Sequence, residues 1–153
     1  MQGARLDTPA VRQALEEAVL EVLETMCFEF PIDEPFPGGP PGDNAVQAVA
    51  RFDGTIRGAL RVALTGQAAK RLAAAFLGLE EDQIGGPETL QMASELANML
   101  CGATMSRLEP HGRLRIAPPE AGWGGTPCAG HCWLHFPLEQ GEAAVTLAWE
   151  QES

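Results

Sequence analysis

The chain has 153 residues, 45% of them hydrophobic and 20% charged, a composition that suits one folded domain with a real core and not a disordered segment. Its 21 acidic residues against 10 lysines and arginines give a formal charge of −11. No basic cluster interrupts that field, which repels phosphate backbones and anionic lipid, so neither nucleic acid nor a membrane surface is an expected partner.

The opening stretch "MQGARLDTPAVRQALEEAV" lacks the uninterrupted apolar run of a signal peptide, and no segment approaches the roughly 20 apolar residues of a membrane span. The four cysteines, Cys27, Cys101, Cys128 and Cys132, are therefore expected to be reduced thiols of a cytoplasmic protein. The first helix is marked by Thr8 as a cap, Pro9 in the first turn, and Val11, Leu15, Ala18, Val22 and Met26 at helical spacing. It is expected to end near Phe30, because the proline- and glycine-rich loop over 31–44 cannot continue it.

A hairpin follows. "AVQAVARF" and "TIRGALRVAL" flank Asp53-Gly54, a dipeptide that favours a tight two-residue turn. In the second strand Ile56, Leu60, Val62 and Leu64 alternate with polar or small residues, so one face is buried. Thr65 is placed to cap a second helix that stops at Gly78. A third helix starts after "DQIGG", with Pro87 in its first turn, and runs to about Leu108. A short strand over 113–117 leads into a loose segment over 118–130, and two last strands, "HCWLHF" and "AAVTLAW", join across Gln140-Gly141. The expected fold is α+β: a single domain over 1–153, with three helices on a mostly antiparallel sheet of about five or six strands.

The third helix carries an unusual pattern. On a wheel at about 100° per residue, Leu90, Ala93, Leu96, Ala97, Leu100, Ala103 and Leu108 form one broad apolar face. Gln91, Glu95, Asn98 and Gly102 gather on the other, bordered by Met92, Met99 and Met105. Polar residues on an outer helical face are ordinarily just solvated. Two features argue for more here: a glycine in mid-helix costs about 1 kcal/mol relative to alanine, and pliable methionines around a polar centre suit a docking surface.

Glu-x-x-Asn followed by Met and then Gly, "SELANMLCG", late in a domain of this element order, resembles the CheX-like chemotaxis phosphatases, relatives of CheC and FliY. The likeness extends over "FLGLEEDQIGGPETLQMASELANMLCGATMSRL" and is weak after Gly112. It implies a phosphatase that hydrolyses the aspartyl phosphate of a CheY-type response regulator. Asn98 would orient the attacking water, and Glu95 would anchor the regulator's lysine. Gln91, Met92, Met99, Gly102 and Met105 would contact the regulator. The resemblance also implies Mg2+ on the regulator with no cofactor on this chain, and a homodimer. CheC relatives often have an acidic residue or serine where Gln91 stands, and a proline where Ala103 stands; CheC has two such helices, whereas the first helix here has no Glu-x-x-Asn. The alternative is an inactive CheX-like binding module docking on a signalling or flagellar protein, or a purely structural domain.

"CAGHCWLH" has sulfur and imidazole at spacings that raise the question of zinc, but strand alternation would send Cys132 and His135 to opposite faces, so no metal site is expected. Cys101 has no basic neighbour in sequence to activate it and reads as core filler. "GWGG" lacks the helix and lysine of a phosphate-binding loop, and Trp123 is expected to cover a core edge or a subunit contact.

Overall fold

The computed structural model describes residues 2–4, 8–42, 45–124 and 132–150. Helix α1 (Pro9–Cys27) begins where Pro9 presets the first turn and ends three residues earlier than the proline-rich loop requires. Phe28, in the left-handed conformation at φ 54°, turns the chain out, and its N–H and that of Glu29 satisfy the last carbonyls. Helices α2 (Gly66–Leu77) and α3 (Gly86–Leu108) follow the expected bounds. The N-cap of α3 is closed by Glu88, whose Oε1 accepts from the Gly85 N–H at 2.8 Å. Thr8 and Thr65 occupy N-cap positions without side-chain capping bonds. Thr65 Oγ1 instead accepts from the Glu142 N–H at 3.1 Å.

All strand pairs are antiparallel, and eight strands are present among the described residues. They are β1 (Gln2–Ala4), β2 (Phe36–Gly38), β3 (Val46–Gly54), β4 (Arg57–Leu64), β5 (Leu114–Ile116), β6 (Glu120–Trp123), β7 (Trp133–Pro137) and β8 (Glu142–Glu150). The five strands expected from the sequence are all there; β1, β2 and β6 are short additions, the last two inside segments expected to be loops. The order is β2-β7-β8-β4-β3-β5, with β6 beside β5 on the free edge of β3 and β1 added to β8.

The hairpin differs from expectation. Phe52 pairs with Gly58 as the last rung, so the connection is longer than two residues. Asp53 and Gly54 continue β3 and pair with Arg115 and Leu114 of β5. A Cβ on Gly54 would lie 1.8 Å from the Arg113 carbonyl oxygen, so the glycine serves close strand approach and not the turn.

Val46, Ala48, Ala50 and Phe52 of β3, Leu60, Val62 and Leu64 of β4, and Val145 and Leu147 of β8 share one sheet face, and all three helices pack on it in one core. On the opposite face Trp133, with no exposed surface, joins Ala45, Ala63 and Ala144 in a small second cluster. Glu29, 6% exposed, is buried at the end of α1 with the Arg71 guanidinium of α2 at 3.0 Å; Arg71 also reaches Glu139 at 3.5 Å. The pairing raises the Arg71 pKa, chiefly through the hydrogen bond to Glu29. Among the described residues, no helix is long and apolar enough to cross a membrane.

Candidate active site on helix α3

Helix α3 lies on the sheet with α1 and α2 on one side and the edge strands β5 and β6 on the other. That setting leaves a narrow outward strip. Gln91 and Glu95 are exposed on it, Asn98 and Gly102 are half-buried, and Met99 is 37% exposed. The side-chain hydrogen bonds of α3 belong to Glu88, Thr89, Ser106 and Arg107; among the described residues Glu95 and Asn98 make none. The three-residue spacing separates these two groups by about 4.5 Å along the axis, close enough to enter one cleft together.

Met92 and Met105 were expected to border the strip and do not: they are 0% and 2% exposed and belong to the core. A wheel assumes one buried side, whereas α3 is covered on three. Met105 lies under the hairpin connection, lining a cavity of about 140 Å³ with Thr55, Ile56, Pro110 and Gly112. Two bonds close that cover: Thr55 N–H to the Arg113 carbonyl, and Arg113 N–H to Thr55 Oγ1, each 3.1 Å.

Gly102 has no packing reason to be glycine. A Cβ there would meet only Ile116 Cδ1, at 4.0 Å, which is ordinary contact. The backbone φ is not positive either.

The sulfur and imidazole groups take structural roles. Burial pushes the Cys27 and Cys101 thiols up to about 12, with Glu29 adding to the effect at Cys27, so both stay neutral and unreactive. His135 is buried and stacked on Phe36. Its Nε2–H donates to the Gly39 carbonyl at 2.9 Å, and its Nδ1 lies 3.0 Å from Glu142 Oε1. Cys128 and His131 fall outside the described residues, and among the described residues no cluster of His, Cys, Asp or Glu could hold a metal.

Trp123, expected to cover a core edge or a subunit contact, is 51% exposed at the end of β6. Its strand lay in a segment with no apolar alternation, so the only sequence signal was the tryptophan itself.

The fold and the strip define a class: an α+β domain that presents a carboxylate and an amide, one turn apart, on an otherwise packed helix. The family model described as "Chemotaxis phosphatase CheX" matches residues 46–125, just over half the chain, including all of α3. The chain belongs to the CheX family. No curated protein is a significant match.

Solved structures agree on the fold. A chemotaxis protein CheX from Desulfovibrio desulfuricans is 25% identical with TM-score 0.71, over 92% of this chain and 99% of that one. Chemotaxis protein CheX from Vibrio vulnificus is 23% identical with TM-score 0.72, over 92% and 96%. A chain of the CheX-CheY-BeF3-Mg2+ complex from Borrelia burgdorferi is 20% identical with TM-score 0.72, over 92% and 98%.

Proposed function

We propose that this chain hydrolyses the aspartyl phosphate of a CheY-type response regulator in the cytoplasm. The observation that carries the reading is the pair Glu95 and Asn98, side by side on the outward strip of α3 with no partner of their own among the described residues.

An aspartyl phosphate is an activated acyl phosphate, so its hydrolysis is downhill and needs no covalent intermediate on the phosphatase. The task is to place one water in line with the scissile P–O bond. The Asn98 amide enters the regulator's pocket, and its oxygen accepts a hydrogen bond from that water and fixes its direction. Such positioning supplies much of a phosphoryl-transfer rate. The Glu95 carboxylate accepts from the regulator's lysine ammonium in a charge-assisted bond, which sets the docking angle. Mg2+ is held by the regulator, consistent with the composition of the Borrelia complex. Gln91, Met99 and Gly102 line the contact. Met92 and Met105 act only by supporting the helix from beneath. The homodimer is part of the same reading; light scattering over a concentration series tests it.

Gln91 and Ala103, which depart from the CheC pattern, favour the second reading, a binding module without turnover. A regulator carrying radiolabelled phosphate separates the two. Faster loss of label with this protein supports the phosphatase; binding with an unchanged half-life of the label assigns the chain to the second reading.

A further inference from the structure

Four of the nine large apolar side chains exposed among the described residues fall between Leu20 and Ile32. Phe28 is 77% exposed and Ile32 64%, with exposed Phe30 between them. Phe28 also holds the left-handed conformation, at φ 54°, that closes α1. Glycine is favoured at such a position, and a bulky side chain there is strained. The end of α1 therefore carries backbone strain and exposed apolar surface together, and neither serves the core.

The stretch that follows is fixed in place. Pro31, Pro35 and Pro37 restrict its backbone. The Ile32 N–H donates to the Pro137 carbonyl at 2.9 Å, and Arg12 Nη2 donates to the Pro35 carbonyl at 3.4 Å. Between this stretch and α1 lies a cleft of about 490 Å³. Arg12, Glu16 and Leu20 form one wall at four-residue spacing, about 12 Å along the helix. Ile32 and Pro35 form the other, and Phe136 of β7 lies at the base. The cleft is at the β7 end of the sheet, away from α3, which packs over β3 and β4 and against β5 and β6.

The rim is acidic. Glu24 stands one turn beyond Leu20 on the same side of α1, and Asp33 and Glu34 lie on the facing stretch. All three are exposed and, among the described residues, form no ion pair. Arg12, the cation of the cleft, is already held by Glu16 at 2.8 Å.

We propose that this cleft is a docking groove for a basic amphipathic helix of another protein. Two turns of such a helix match the length of the α1 wall, and its apolar side chains meet Leu20 and Ile32, with Phe28 and Phe30 extending the contact. Its lysines or arginines meet Glu24, Asp33 and Glu34. The same acids oppose the other occupants. A second copy related by a two-fold axis would bring Glu24, Asp33 and Glu34 up against the same three acids, in chains that each carry −11. An anionic lipid surface meets the same repulsion. The groove lies apart from Glu95 and Asn98, so it serves a partner other than the one that α3 engages.

The test uses the full chain and two fluorescently labelled synthetic helices of about 16 residues, long enough to hold their fold. Both carry leucine on one face; the other face is lysine in one and glutamate in its twin. By fluorescence anisotropy the lysine helix should bind and the glutamate helix should not. Leu20→Ser and Ile32→Ser, which leave the charge untouched, should each weaken the lysine helix about tenfold, the size expected of a buried anchor. Phe28→Gly should weaken it too while raising the urea midpoint, because it relieves the left-handed residue. Asp33→Lys with Glu34→Lys should slow association and reduce its salt dependence. Attraction to net charge alone would survive Leu20→Ser and Ile32→Ser, so equal binding by wild type and both variants overturns the groove, as does failure of the lysine helix to bind. Light scattering and vesicles of phosphatidylcholine with phosphatidylglycerol report the other occupants. A dimer that Ile32→Ser dissociates, or vesicle binding that it abolishes, overturns the proposal. Loss of radiolabelled phosphate from a regulator is a separate readout: its absence would overturn the phosphatase and leave the groove.

Discussion

Gly102 faces Ile116 across a gap that a methyl group would just fill: a Cβ on the glycine reaches Ile116 Cδ1 at 4.0 Å and touches nothing closer. The fold therefore gains nothing from this glycine and carries its conformational cost. Gly102→Ala is expected to stabilise the domain by up to about 1 kcal/mol, read as a raised urea midpoint. Regulator dephosphorylation should fall in the same variant, and further in Gly102→Leu. An alanine variant that is both more stable and equally active would show that nothing docks closely at this turn.

At Asn98 and Glu95 the two side chains should fail differently. Asn98→Ala should lower kcat by about a hundredfold, the scale set by losing a positioned reactant, with KM nearly unchanged. Glu95→Lys should act mainly on KM by repelling the regulator's ammonium, and added salt should partly relieve the defect. Equal effects of both variants on KM alone would reduce Asn98 to a contact residue.

The sequence was most informative where periodicity matched burial. Leu60, Val62 and Leu64 alternate along the second hairpin strand, and all three lie in the core, on β4 between β8 and β3. The glycine pair and Pro87 likewise placed the start of α3 within a residue of its observed bound. Where neighbours far along the chain decide the outcome, the pattern was silent. Met105 is buried by a loop that returns over it, and Met92 by the crowding of α3 between other elements. Strands β2 and β6 contain or follow prolines and have no alternation; they exist because β7 and β3 offer free edges. Trp123 was visible as a residue, but its place at the end of β6, opposite Val46, depends on that pairing.

The two buried helix thiols should be chemically silent. With pKa values pushed up to about 12, Cys27 and Cys101 hold their protons at pH 8 and are out of reach of a disulfide reagent. Titration of the native protein at that pH should leave both unmodified, as mass mapping would show, and denaturant should release them. Rapid modification of Cys101 in the native state would mean that α3 lifts from the sheet.

Glu29 and Arg71 bind the end of α1 to α2, and Arg71 extends the link to Glu139. Arg71→Ala would leave the Glu29 carboxylate, 6% exposed, without its charged donor. Arg71 is itself a third exposed, so solvent screens the pair and the expected loss is about 1 to 2 kcal/mol, below that of a fully enclosed ion pair. Glu29→Gln, which keeps an acceptor for the guanidinium, should cost less. Neither residue lies on the strip of Glu95 and Asn98, so kcat on a phosphorylated regulator should hold at temperatures where each variant is folded. A drop in kcat at unchanged stability would mean that the joint between α1 and α2 also sets the attitude of α3, and would place the control of the site in the helical layer as a whole.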